Sequence, residues 1–313
     1  MTRAFIFPGQ GAQTIGMGRD LAETYPAARA VFDEVDAALG EKLSALIWEG
    51  EQDTLTLTAN AQPALMATSL AAMAALKAEG VEVGAASYVA GHSLGEYSAL
   101  AAAGSLTIAD TARLLRIRGE AMQAAVPVGQ GAMAAILGLG YDAVVAVAEE
   151  AAEGAVCTAA NDNDPAQVVI SGEKAAVERA VEIAKLQGAK RALMLPVSAP
   201  FHCALMQPAA DAMAAALADV TLNDPAVPLV ANVTAGAVTS AADIRAHLVT
   251  QVTGRVRWRE SVGYMAAQGV TETWEIGAGK ALSGMVKRID RAVETRSVGT
   301  PDEVRAAAES LAG

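Results

Sequence analysis

The stretch Tyr88–Leu100, YVAGHSLGEYSAL, constrains the fold more than any other part of the chain. A short apolar run stops at Gly91, Ser93 follows two residues later, Gly95 comes next, and helix-forming residues begin. The G-x-S-x-G spacing suits a nucleophile elbow, where a strand turns sharply into a helix and lifts a serine hydroxyl above the sheet edge. Glycines at both ends, lacking Cβ atoms, let strand and helix approach closely. Such a turn belongs to an α/β fold. On the same residues Ser93 could instead merely cap the helix that follows.

The rest of the chain agrees with α/β. Hydrophobic residues make up 53% of 313, enough for one large domain or two smaller ones. Apolar runs ended by turn signals, such as Arg3–Phe7 before Pro8-Gly9, alternate with helical stretches such as Ala61–Glu79. Thr107 and Asp110 form a capping box at the start of a helix running to about Ala125. Beyond Pro127 the rhythm changes. Strands are expected at 132–137, 155–160, 167–171 and 190–197, with helices at 142–152 and 173–187. That β-α-β-β-α-β order is ferredoxin-like. It marks 127–197 as a small subdomain inserted into a large α/β subdomain made of 1–126 and 198–313. Further strands are expected at 228–232 and 272–277, and helices at 204–217, 241–250, 258–268 and 301–311.

A net charge of −12 argues against nucleic acid, which needs clustered Lys and Arg. Cys157 and Cys203 are too few for a disulfide framework or a four-ligand zinc site, so no metal is expected. The start, MTRAFIFPGQ, lacks a signal-peptide pattern, and no apolar run is long enough to span a membrane. A cytoplasmic protein without membrane attachment is the expectation.

A serine needs a base. Of the three histidines, His92 adjoins Ser93 but should diverge from it in a tight turn, and His247 lies within a helical stretch. His202, in SAPFHCALM at a loop-to-helix junction, is the best candidate. No acid between Ser93 and His202 is marked as a third member, and a carbonyl could orient the imidazole instead. Read bare, Arg118 in LLRIRGE is one of several solvated helix arginines. A serine esterase or thioesterase is compatible with all of this.

Several segments together match a known family: FPGQGAQTIGMG (7–18), AQPALMATS (61–69), GHSLGEYSAL (91–100), RIRGEAMQ (116–123), AANDNDPAQVVISG (159–172), SAPFHCALM (198–206), VRWRESVGYMAAQGV (256–270) and EIGAGKALSGMVKRI (275–289). The chain resembles the malonyl-CoA:acyl-carrier-protein transacylases of type II fatty-acid synthesis from end to end. The resemblance implies an α/β-hydrolase-like large subdomain with a ferredoxin-like insertion, and ping-pong transfer of malonyl from CoA to a carrier thiol. Ser93 matches the acylated nucleophile and His202 the base. The backbone N–H groups of Gln10 and Leu94 match the oxyanion hole. Arg118 matches the arginine that grips the malonyl carboxylate, and Gln251 the residue whose main-chain carbonyl orients the imidazole. Phe201 stands where, in related polyketide acyltransferases, a Phe accompanies malonyl selection. No cofactor is implied: malonyl-CoA is substrate, and phosphopantetheine comes with a transient partner, acyl carrier protein. A monomer is expected. Because such carriers are acidic, Lys287-Arg288 with Lys190-Arg191 are candidates for a basic docking patch.

Overall fold

The computed structural model describes residues 2–197 and 199–312; Met1, Gly313 and Ser198, the first residue of SAPFHCALM, lie outside them. Two sheets organise the chain. The strands, in chain order, are β1 (Arg3–Phe7), β2 (Tyr88–Gly91), β3 (Gly131–Leu137), β4 (Cys157–Asp164), β5 (Gln167–Glu173), β6 (Arg191–Met194), β7 (Leu229–Val230), β8 (Ala237–Val238), β9 (Glu272–Ile276) and β10 (Glu294–Val298).

The first sheet runs β10-β9-β1-β2-β7-β8, parallel except for the β7/β8 pair. Helices cover both faces, so β1 is buried at every residue and reads as a continuous apolar run after Arg3, which pairs with Glu272 at 2.8 Å. Its side chains still alternate. Phe5 and Phe7 join the core that holds Phe32, Leu65 and Tyr97, while Ala4 and Ile6 meet Ala90, Trp258 and Val286 on the other face.

The second sheet runs β4-β5-β3-β6, wholly antiparallel, with the helices Tyr141–Ala152 and Lys174–Leu186 on one face. This is the ferredoxin-like arrangement. Ala132, Ala134 and Ile136 of β3 point to those helices, whereas Met133 and Ala135 face the main core. The small sheet is therefore packed on both sides.

Three local differences from expectation have physical causes. β4 extends through Asn161-Asp162-Asn163-Asp164, beyond the strand expected at 155–160. Two bulges and outside partners make this possible: Arg259 holds Asp162 through three hydrogen bonds of 2.8–3.1 Å, and Arg288 pairs with Asp164 at 2.7 Å. β6 stops at Met194, three residues early, where its pairing with β3 ends. β10 was not expected, being a polar edge strand, Glu-Thr-Arg-Ser-Val.

The helices Thr58–Ala78 and Ile108–Ala124 carry residues of the site and lie very close together. Pro63 has no N–H, so the Ala59 carbonyl is freed, and Arg116 Nη1 donates to it at 2.7 Å. A Cβ on Gly119 would lie 2.6 Å from Ala59 Cα, backbone that cannot swing aside. Thr107 caps its helix as expected, Oγ1 accepting from the Asp110 N–H at 3.0 Å, but Asp110 Oδ2 accepts from the Thr107 hydroxyl at 2.8 Å rather than from its N–H, so only half of the capping box forms. No helix among the described residues is long and apolar enough to cross a membrane.

Two glycine-to-alanine changes should therefore have opposite signs. Gly119→Ala is expected to destabilise by about 1–3 kcal/mol, because the helix pair must part. Gly263→Ala lies in a helix where an added Cβ meets nothing within 4 Å, and should stabilise by about 0.5–1 kcal/mol. Thermal unfolding of the two variants beside the parent checks both; equal shifts would contradict the packing.

Candidate active site

The elbow is built by backbone contacts that exclude side chains. A Cβ on Gly91 would fall 2.0 Å from the Gly95 carbonyl, and one on Gly95 would fall 2.2 Å from the Phe7 oxygen. Between them Ser93 adopts φ 53°, the left-handed region that side-chain-bearing residues rarely enter. Such a backbone persists only where its surroundings enforce it. Here the Ser93 N–H donates to Asn232 Oδ1 at 2.8 Å, and its carbonyl accepts from Gln251 Nε2 at 3.0 Å.

Ser93 Oγ and His202 Nε2 are 2.8 Å apart. His202 Nδ1 faces two carbonyl oxygens, Gln251 at 2.9 Å and Gly254 at 3.1 Å. Carbonyls only accept, so Nδ1 carries the proton and Nε2 offers its lone pair to the serine hydroxyl. Burial, reinforced by the positive charge of Arg118, pushes the His202 imidazole down to about 3. It is thus neutral, and a competent acceptor, across the physiological range. The two carbonyls occupy the place that an acid takes in a Ser-His-Asp arrangement.

Arg118 is not a solvated helix arginine. It is 1% exposed, and Nη2 donates to Ser93 Oγ at 3.1 Å and to Gln251 Oε1 at 2.8 Å. Nη1 donates to Gln62 Oε1 at 2.7 Å, and Nε is buried without a partner among the described residues. All its acceptors are neutral. A buried cation without a paired carboxylate is costly, and it leaves a guanidinium ready to receive an anion beside the serine.

A file of donors leads from it to the surface. Gln62 Nε2 donates to Thr58 Oγ1 at 3.0 Å, and Thr58 donates to Gln10 Oε1 at 3.0 Å. Gln10 is exposed, while a Cβ on Gly9 would sit 2.6 Å from the His92 carbonyl, so the Pro8-Gly9-Gln10 loop lies against the elbow. The backbone N–H groups of Gln10 and Leu94 donate to no other group among the described residues. His92 points away from the serine, packed on Trp258 and bonded through Nε2 to Asn163 at 2.8 Å. Phe201 is buried beside His202 in sequence, and both cysteines are buried and free.

The basic pairs do not form one patch. Lys287 and Arg288 lie on the helix Ala281–Ile289, which packs on β4, whereas Arg191 starts β6 at the opposite edge of the small sheet. Arg288 is engaged by Asp164, so Lys287 is the freer charge.

Gln62, Glu96 and Asn232 escaped notice in the sequence, although the first two fall inside the quoted AQPALMATS and GHSLGEYSAL segments. Each is a polar residue within an apolar run, and that is the signal that could have found them.

Residues 4–298 match the acyl transferase domain family. A malonyl CoA-acyl carrier protein transacylase of Bacillus subtilis (strain 168) is 48% identical, over 98% of this chain and 96% of that protein. The Escherichia coli (strain K12) protein of the same name is 49% identical, over 98% of each. A solved acyl-carrier-protein S-malonyltransferase from Bartonella henselae superposes with a TM-score of 0.98 at 56% identity, covering 100% of both chains. A malonyl-transacylase solved in complex with a type II PKS acyl-carrier protein gives 0.96 at 43% identity, covering 99% of this chain and 100% of that one. On residues and fold together, the chain belongs to the acyl transferase family, among the malonyl CoA-acyl carrier protein transacylases.

Proposed function

We propose that this chain moves a malonyl group from malonyl-CoA to the phosphopantetheine thiol of an acyl carrier protein, through a malonyl ester of Ser93. The observation that carries the substrate choice is Arg118: a buried guanidinium with only neutral acceptors, donating to the oxygen that attacks. A plain hydrolase has no use for such a group.

His202 Nε2 takes the hydroxyl proton as Ser93 Oγ attacks the thioester carbon. The free N–H groups of Gln10 and Leu94 receive the oxyanion, each worth about 3–4 kcal/mol in a comparable site. The C–S bond then breaks, and His202 returns the proton to the CoA sulfur. The carrier thiol repeats the sequence in reverse and leaves with the malonyl group. Throughout, Arg118 holds the distal carboxylate through parallel N–H bonds and fixes the acyl group in one pose. Gln251 keeps the imidazole aligned through its carbonyl. Lys287, with Arg288 beside it, is the proposed contact for the acidic carrier.

Arg118→Ala should lower the ratio of malonyl to acetyl transfer by about 100-fold, because the carboxylate loses its only charged partner. Acylation rates with the two CoA thioesters measure that ratio; an unchanged ratio would refute the role. A second expectation follows from the neutral imidazole. Because its protonation is displaced to about 3, Ser93 should react with a neutral sulfonyl fluoride at a nearly constant rate from about pH 8 down to about pH 5. A fall centred near the ordinary histidine value would contradict the environment assigned to His202.

A further inference from the structure

Glu96 lies on the helix Gly95–Ala102 that the elbow feeds, and none of its surface reaches solvent. Its Oε2 accepts from Gln251 Nε2 at 2.8 Å and from the Asn232 N–H at 3.2 Å. These are the two residues that grip Ser93 from either side, through its N–H and its carbonyl. Asn232 Nδ2 further ties the Gly91 carbonyl at 2.7 Å. One carboxylate oxygen thus latches both halves of the clamp on the strained serine. The other, Oε1, is buried without a partner among the described residues.

A buried carboxylate with an orphan oxygen is expensive, and a neutral amide could accept the same two hydrogen bonds. What only the carboxylate adds is negative charge. The buried cation that feels it is Arg118, to which Glu96 is linked through the Gln251 amide. Arg118 has no other buried anion paired with it among the described residues.

We propose that Glu96 is a positioning residue for the transfer: its Oε2 locks the clamp on Ser93, and its charge is the counter-ion of Arg118 in the empty site. When an acyl carboxylate reaches Arg118, it takes over that role, and Glu96 takes up a proton. The inference rests on the malonyl assignment above. Acylation itself, malonyl-CoA plus serine hydroxyl giving malonyl-serine plus CoA thiol, is proton-neutral. A proton taken up on loading therefore comes from solvent and resides on Glu96.

The groups facing Glu96 allow this to be read. Burial raises its carboxyl to about 7, against the lowering effects of Gln251, Asn232 and Arg118. Burial pushes Tyr97 up to about 12 and His202 down to about 3, and it lowers His92 as well. Across neutral pH, Glu96 is then the group of this cluster that changes charge.

Single-turnover acylation of Ser93 by malonyl-CoA, from about pH 6 to about pH 8.5, tests the proposal. In the parent enzyme the half-saturating concentration should rise roughly fivefold or more with pH, as ionised Glu96 competes for Arg118. A pH indicator should register proton uptake on loading near neutrality. Glu96→Gln should flatten the pH dependence and abolish the uptake. Glu96→Ala, which unlatches both amides, should lose roughly 10- to 100-fold in maximal acylation rate, and Glu96→Gln should restore most of it. The proposal is overturned if Glu96→Gln keeps the parent's pH dependence, or if both variants lose rate alike. Loading of the parent without proton uptake overturns it with no variant needed. A parent that takes no malonyl from CoA would instead sink the malonyl assignment itself.

Discussion

Ser93 carries a side chain in a backbone conformation that disfavours one, and the rest of the site follows from how that is enforced. Left-handed backbone at a non-glycine residue costs of order 1–3 kcal/mol. The cost is met by Gly91 and Gly95 pressed against backbone, by the Asn232 and Gln251 amides on either side, and by β2 fixed between β1 and β7. His202 repeats the device at φ 58°, so both members of this hydrogen-bonded pair sit on strained backbone held by their surroundings. The hydroxyl and imidazole meet at 2.8 Å because neither has freedom to settle elsewhere.

The same amide network explains why the site needs no acid beside the histidine. Gln251 supplies its carbonyl to His202, its side-chain oxygen to Arg118, and its side-chain nitrogen to Ser93 and Glu96. One residue thereby ties together the serine, the imidazole and the guanidinium. A carboxylate at the imidazole would pair with the nearby Arg118, whereas carbonyls orient the ring without adding charge. Glu96 supplies the negative charge one residue further away, where an amide stands between it and the guanidinium.

Much of this was legible from sequence, for reasons that differ by residue. The elbow is local: its spacing and its glycines carry the geometry, and Ser93 lies where that pattern puts it. His202 could be chosen because only three histidines exist. Arg118 could not be read from its own segment. Arg116 and Arg118 both reach acceptors on the helix Thr58–Ala78, the Ala59 carbonyl and the Gln62 side chain, and nothing local tells which of them also meets Ser93. Likewise the polar run 161–164 is a strand only because Arg259, Arg288 and His92 wait for it on other elements. Such pairings span roughly 70 to 130 residues of chain, beyond the reach of any local pattern.

The proposed malonyl ester of Ser93 carries the acyl group between two thiols while Arg118 holds it in one pose. This transfer is tested most directly by peptide mass spectrometry of the protein after malonyl-CoA, followed over time with and without acyl carrier protein. A malonyl adduct on the peptide holding Ser93, discharged by carrier on the order of 100-fold faster than by water, is the expected result. An adduct on another residue, or one that water clears as fast as the carrier does, would contradict it.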